Sequence, residues 1–298
     1  MVRKTVLVTG SNSGIGYQTA LSLAQQGHQV ILHGRNEQKV QKALVEIREK
    51  SGNESIDAVV GDLSLMAEVQ KVADKIKVKY DHLDALINNA GSQMGKERSV
   101  TAEGHERTMA INVFAPVFLS QLLLELLEKS EDGRILTVSS ASYNQGTSDQ
   151  YLADIELENN YSFSRAYGLS KLYVLWAMWH LDSLLRAKGV ENVTVNCMEP
   201  ASALTNLGSE SASKRPGIWK IIYVLWRPMM KNPSIAGKTN ARLAVSDEYQ
   251  GMTGKFFDTQ GRIEKEERKY YSKENEQKVW DYCMEVIRPF QIKKHSNI

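Results

Sequence analysis

Tyr167-Gly168-Leu169-Ser170-Lys171 is the stretch whose residue types and spacing could do chemistry. On a helix, a residue and the one four later share a face, so this spacing sets a phenol beside an ammonium. A free phenol has a pKa of ~10, too high to exchange protons readily at neutral pH. A cation close by favours the phenolate and lowers that value, which makes the pair an acid/base device. Chance supplies the same spacing in many helices. The pair acquires meaning only if the surrounding elements deliver a substrate and a cofactor to it.

The bulk properties narrow the field. The chain has 298 residues, 42% of them hydrophobic and 24% charged, as in an ordinary soluble globular protein. A net charge of +2 gives nucleic acid no electrostatic footing. The two cysteines, Cys197 and Cys283, lie far apart without metal-ligand spacing and read as reduced thiols. The opening M-V-R-K-T-V-L-V-T-G lacks the long apolar run of a signal peptide or anchor. No transmembrane segment and a cytoplasmic location are therefore expected.

Short β-branched runs alternate with longer amphipathic segments. Strands are predicted at Thr5–Thr9, Gln29–His33, Ile56–Val60, Leu83–Asn88, Arg134–Ser139 and Val193–Met198, with a short one at Gly254–Phe257. Helices are predicted over Ile15–Gln26, Glu37–Lys50, Ser234–Val245 and Lys273–Ile287, with Gly27 placed to end the first. Such alternation implies parallel strands joined by crossover helices that cover both faces. The fold class is α/β, a Rossmann-type doubly wound parallel sheet forming one domain over 1–298. The rhythm lapses at 199–233, a variable segment on the substrate side, whose apolar piece Ile218–Leu225 has three readings: packing against the body or a partner subunit, a lid over a lipophilic substrate, or shallow membrane contact.

The first strand runs into Thr9-Gly10-Ser11-Asn12-Ser13-Gly14-Ile15-Gly16 and then a helix. Glycines there let the backbone turn tightly and let a pyrophosphate approach the helix N-terminus, whose N–H groups and dipole favour an anion. The second strand ends at Gly34-Arg35, where an NAD site would carry a carboxylate for the ribose hydroxyls. A guanidinium suits a 2′-phosphate, which favours NADP(H) over NAD(H); the rival reading of Arg35 is a surface residue ahead of a helix. Asp62-Leu63, after the third strand, could border the adenine or cap the next helix.

Taken together, T-G-S-N-S-G-I-G, Asp62-Leu63, Asn88-Asn89-Ala90-Gly91 and Tyr167-x-x-Ser-Lys171 make the chain resemble the short-chain dehydrogenase/reductase family over nearly its whole length. The resemblance implies that Asn89, Ala90 and Gly91 border the cofactor and that the N-N-A-G segment supports the sheet. It matches Asn112 to a helix asparagine that holds a water for proton relay, although a polar side chain there could simply bond its own helix. It matches Ser140 to a substrate-orienting hydroxyl, with Ser139 as the rival. The long interval Tyr143–Ser164, carrying Asp149, Asp154, Glu156 and Glu158, resembles the retinol dehydrogenase-like branch, as do Arg35, Gly254-Lys255-Phe256-Phe257 and the Trp280 helix. That branch mostly handles lipophilic alcohols and carbonyls with NADP(H). One departure stands out: Pro200 is followed by Ala201 where the family commonly has Gly, with Glu199 where the branch often has His. Thr205 still falls where the family places a threonine near the nicotinamide.

The implied reaction is hydride transfer between nicotinamide and a small-molecule carbonyl or alcohol. Tyr167 would pass the proton, Lys171 would stabilise the phenolate and hold ribose hydroxyls, Ser140 would polarise the substrate oxygen and Asn112 would anchor the water. A catalytically silent NADP(H)-binding regulator or scaffold is the alternative from another class. A reductase of a large planar pigment is a chemically close third. A homo-oligomer is expected only by analogy with the family's helix faces.

Overall fold

The β-branched runs become seven strands in the computed structural model, which describes residues 2–92, 95–145, 147–200, 233–264 and 270–291. They are β1 (Thr5–Val8), β2 (Gln29–Gly34), β3 (Ile56–Val60), β4 (Ala85–Asn88), β5 (Gly133–Val138), β6 (Val193–Met198) and β7 (Phe256–Phe257). All pair in parallel, in the order β3-β2-β1-β4-β5-β6-β7. Leu83 and Gly254, expected to open β4 and β7, lie just before them.

The connecting helices are α1 (Gly14–Gln25), α2 (Glu37–Ser51), α3 (Met66–Lys79), α4 (Arg107–Leu127), the short α5 (Asp149–Leu152), α6 (Phe163–Ala187), α7 (Pro233–Val245) and α8 (Lys273–Gln291). Period-2 alternation sends Val6 and Val8 into one core with α1, α2 and α7, and Leu7 into another with α3, α4, α6 and α8. Because both faces are covered, the strands read as nearly continuous apolar runs. Gly27, at φ 82°, lies just past the end of α1 in the left-handed conformation that ends many helices.

Strand order reverses between β1 and β4, so the loops leaving their C-terminal ends diverge and open a crevice between them. Two helices reach this edge of the sheet. In α4 the Ala115 N–H bonds to Ala110 O across a wide π turn, Ala110–Phe114. Such a turn inserts one extra residue into a helix and is common at functional sites. By length and composition, Arg107–Leu127 is also long and apolar enough to cross a membrane, with mean hydropathy 1.8, yet 72% of that window is buried inside the protein. Helix α6 is buried almost all round from Gly168 to Leu181, since α8 covers its outer side. There His180 stacks on Trp280 at 4.7 Å, and the buried Glu276 accepts from His180 Nδ1 (3.1 Å), Tyr271 (2.7 Å) and Lys273 (3.0 Å). Burial opposes ionisation of Glu276, but these bonds win and hold its carboxyl down at about 2.

Helix α7 crosses α1 at Gly237, where an added Cβ would come within 2.5 Å of Gln18 Cβ and 2.8 Å of Thr19 N. That crossing sets the height of α1 and of the glycine turn before it. Gly237→Ala is expected to push the helices apart and cost about 1–3 kcal/mol in urea denaturation.

Candidate active site

At the strand-order reversal a single hydroxyl joins the two diverging loops. Thr9 Oγ1 donates to Ile87 O (3.2 Å) and accepts the N–H groups of Asn89 and Ala90, both at 2.9 Å. Asn89 Nδ2 returns a bond to Thr9 O at 2.8 Å. The loops lie so close that a Cβ on Gly10 (φ +64°) would fall 2.9 Å from Ala90 Cα, and one on Gly16 would fall 2.4 Å from both Gly10 O and Asn89 Nδ2. Asn88, one residue earlier, is buried and bonds Ser120 Oγ (3.0 Å) and Thr137 Oγ1 (3.3 Å), supporting the sheet from within.

The turn itself meets the requirements for an anion. Ser13 opens α1 in an extended conformation without a side-chain cap, and the first turn holds no acidic residue. The N–H groups of Gly14, Ile15 and Gly16 thus meet neither a side-chain cap nor an acidic neighbour. Ser11 is buried and ties the turn to β2, its N–H donating to His33 O at 2.9 Å. Asn12 lies against Gly34, where an added Cβ would be 2.8 Å from its Oδ1. Arg35 follows, exposed, with no ion pair among the described residues, just before the Asn36 cap of α2. Asp62 does not cap α3: its Oδ1 accepts from Ser64 N at 3.0 Å, while Glu103 accepts from Met66 N (2.6 Å) and Ala67 N (3.0 Å) at the helix start. Leu63 beside it is buried.

The catalytic candidates gather at the ends of β4 and β5. Lys171 is only 5% exposed, and its Nζ donates to Val138 O at 2.9 Å and lies 5.7 Å from the Tyr167 ring centre. A Cβ on Gly91 would sit 3.4 Å from that Nζ and 3.2 Å from Asn112 Oδ1, so glycine keeps a cradle open there. The two rival serines separate. Ser139 is buried and donates to Lys171 O (3.1 Å), whereas the Ser140 hydroxyl donates to Ser142 Oγ (3.2 Å) and lies near enough to the Tyr167 phenol to favour its ionised form. Asn112, in the π turn, does not bond its own helix. Its Oδ1 accepts from Ser92 N, and its Nδ2 donates to Ser92 O and Ser170 Oγ, all at 2.9 Å. Ser170 in turn donates to Tyr167 O at 2.8 Å.

Burial governs the electrostatics more than the pair's spacing does. It pushes the Tyr167 phenol up, against the opposing influence of the nearby Ser140 hydroxyl, and pushes the Lys171 ammonium down to about 8. Burial outweighs the lowering by the lysine expected from the spacing, because Nζ is turned to Val138 O and stands 5.7 Å from the ring centre. At neutral pH the pair is a neutral phenol beside a mostly charged ammonium. Cys197, buried next to Lys171, is pushed up to about 12 by desolvation and stays a thiol.

Sequence reasoning missed Ser92, Ser170, Thr9 and Val138 O as the groups holding this arrangement. The only signal was the position of Thr9 and Ser170 inside motifs already noted, of Ser92 just after one, and of Val138 in a predicted strand. Pro200 is half-buried at the end of β6, and the Glu199 N–H before it donates to Phe257 O at 2.8 Å. Ala201, Thr205 and the Ile218–Leu225 stretch lie outside the described residues.

The sequence model of the family described as short chain dehydrogenase matches residues 4–152. Retinol dehydrogenase 13 of Homo sapiens is 33% identical over 265 residues, covering 86% of this chain and 76% of its own. Polyprenol dehydrogenase of Homo sapiens is 30% identical over 290 residues, covering 95% and 84%. A short-chain dehydrogenase of Shigella flexneri, solved in complex with NADP, superposes with a TM-score of 0.66 at 28% identity, over 86% of this chain and 97% of its own. One from Escherichia coli, complexed with NADPH, gives 0.67 at 27%, over 86% and 96%.

The chain belongs to the short-chain dehydrogenase/reductase family. Its relatives place it on the retinol dehydrogenase-like branch, and it is an oxidoreductase. In this short-chain dehydrogenase the long interval before Tyr167 is anchored by a buried carboxylate. Glu156 accepts from Glu106 N, from Tyr282 of α8 (2.7 Å) and from His105 Nδ1 (2.8 Å). Asp154 closes the loop by accepting from Glu158 N (2.7 Å) and Asn159 N (3.0 Å).

The buried lysine carries a pH signature. Its folded value of about 8 lies below the ordinary 10.5, so between the two the unfolded chain binds more proton than the folded one. The contribution of Lys171 to stability therefore rises with pH across that window. In urea denaturation from neutral pH to about 10, wild type is expected to gain on Lys171→Met above pH 8, at up to about 1.4 kcal/mol per pH unit.

Proposed function

We propose that this oxidoreductase uses NADP(H) to interconvert a carbonyl and an alcohol on a lipophilic small molecule. The observation that carries the reading is the meeting of Tyr167, Ser140, Lys171 and Asn112 beside the Gly91 cradle, at the same sheet edge as an uncapped, acid-free helix start.

The residues divide the work as follows. Gly10 and Ser11, whose N–H groups are held by His33, shape the turn, and Asn12, Ser13, Gly14, Ile15 and Gly16 receive the pyrophosphate through backbone N–H groups. Arg35 takes the 2′-phosphate, Asp62 and Leu63 flank the adenine, and Asn89, Ala90 and Gly91 border the ribose and nicotinamide, with Pro200 on the far side; Thr205, outside the described residues, keeps the nicotinamide role that the family resemblance implies. When bound, NADP(H) supplies or accepts the hydride. Tyr167, neutral at pH 7, gives its proton to the developing alkoxide, or takes one from the alcohol in reverse. Ser140 bonds the substrate oxygen, and the positive charge of Lys171 stabilises the phenolate once Tyr167 has given up its proton. Asn112, fixed by Ser92 and Ser170, holds the water that restores the proton.

Lipophilicity is supported by the relatives named for retinol and polyprenol, and by the apolar Ile218–Leu225 stretch in 199–233, which we read as the substrate-side lid of a single 1–298 domain.

Tyr167→Phe is expected to abolish turnover across a panel of lipophilic aldehydes, ketones and alcohols while leaving NADPH affinity nearly unchanged. Turnover near the wild-type rate would refute the role of Tyr167. In parallel titrations, Arg35→Ala is expected to weaken NADPH about tenfold and leave NADH unchanged, since one charge-assisted contact is worth about 1.5–3 kcal/mol and this one is exposed. Equal loss of both cofactors would remove Arg35 from the phosphate site.

A further inference from the structure

His33 is a polar residue in the middle of an apolar strand end, Val30-Ile31-Leu32-His33-Gly34, and is 3% exposed. Its ring spans three loops. Nδ1 takes the Gly10 N–H at 3.2 Å, and Nε2 meets Gly61 O at 3.1 Å. Only one protonation state satisfies both contacts: an amide N–H needs a bare nitrogen at Nδ1, and a carbonyl needs the hydrogen at Nε2. The backbone repeats the tie, since His33 N donates to Ser11 Oγ (2.9 Å) and His33 O accepts from Ser11 N (2.9 Å). Desolvation keeps the ring neutral, its pKa pushed down to about 4.

The three loops are the glycine turn after β1, the Gly34-Arg35 end of β2 and the Gly61-Asp62 end of β3. They are the parts of the sheet edge that would hold the adenosine half of a dinucleotide. An apolar side chain could fill this core position without joining them. We propose that His33 is a positioning residue for the cofactor: its neutral imidazole clamps the Gly10 peptide to Gly61 and so fixes the adenosine cradle in its binding shape. The inference rests on the NADP(H) reading. It differs from the role of Arg35 in having no preference between phosphorylated and unphosphorylated cofactor, because both share the adenosine half.

Two amide substitutions split the clamp. In His33→Asn the side-chain oxygen falls near the Nδ1 position and can still accept from Gly10. In His33→Gln the side-chain nitrogen falls near Nε2 and can still donate to Gly61, leaving the Gly10 N–H without its acceptor. Binding is read without turnover, by the fluorescence of NADPH and NADH titrated with full-length protein, alongside thermal midpoints and steady-state kinetics. If wild type binds neither cofactor, the NADP(H) reading itself fails. Given wild-type binding, His33→Gln is expected to raise the Kd of NADPH and NADH by the same factor, about tenfold, with kcat at saturating cofactor unchanged. His33→Asn, which frees the Gly61 end but keeps the glycine turn held, is expected to raise both Kd values by a smaller common factor, about threefold. Wild-type affinity in both variants would overturn the proposal. So would losses that follow the fall in thermal midpoint equally in Asn and Gln, or loss of NADPH affinity alone.

Discussion

Everything at the sheet edge depends on one buried hydroxyl being fully used. Thr9 has one hydrogen and two lone pairs, and all three are spent: one on Ile87 O and two on the N–H groups of Asn89 and Ala90. No apolar side chain of the same shape could do this. Valine there would strand the Ala90 N–H, at about 1–3 kcal/mol, and leave the Asn89 N–H to Ile87 O alone. The bonds draw the loop after β1 onto the loop after β4 at the point where the strand order reverses. Glycine at 10 and 16 then follows as a necessity, since no Cβ fits between loops held that close.

The second constraint is the cost of burying Lys171. Desolvation penalises its ammonium, and among the described residues a single carbonyl, Val138 O, is there to receive it. A sequence selected for stability alone would place an apolar residue on that face of α6, where its neighbours Leu172, Val174 and Leu175 are buried. Retaining a charge there is the stability–function compromise common to active sites. The stability is recovered elsewhere, by a sheet buried on both faces and by the α6–α8 contact around Glu276.

Much of this was legible in the sequence because it rests on local periodicity. The seven strands follow from β-branched runs, the doubly wound class from their alternation with helices, and the glycine turn from its place between a strand and a helix. The spacing of Tyr167 and Lys171 was legible too, but their electrostatics were not. Helical geometry says the two side chains share a face; it does not say that Nζ turns to a carbonyl of β5. The choice between Ser139 and Ser140, and the capping of α3 by Glu103 rather than Asp62, likewise depend on chain segments remote in sequence. His33 left a faint trace, a polar residue in an apolar run, whose meaning appears only once three strand ends are seen side by side.

The π turn of α4 has a consequence for how this helix tolerates change. Successive residues of an α-helix are offset by ~100° around its axis, so one extra residue puts the segments before and after Ala110–Phe114 out of phase by about that angle. The phase shift lets Asn112 face Ser92 and Ser170 while the Pro116–Leu127 segment keeps its own packing face. Deleting any one residue of the turn would leave a helix just as apolar and almost as long. It would satisfy either the polar contact or the packed face, never both. Length variation here is therefore closed to drift in a way that composition does not reveal, and an alignment that slides a gap into this helix would misplace Asn112.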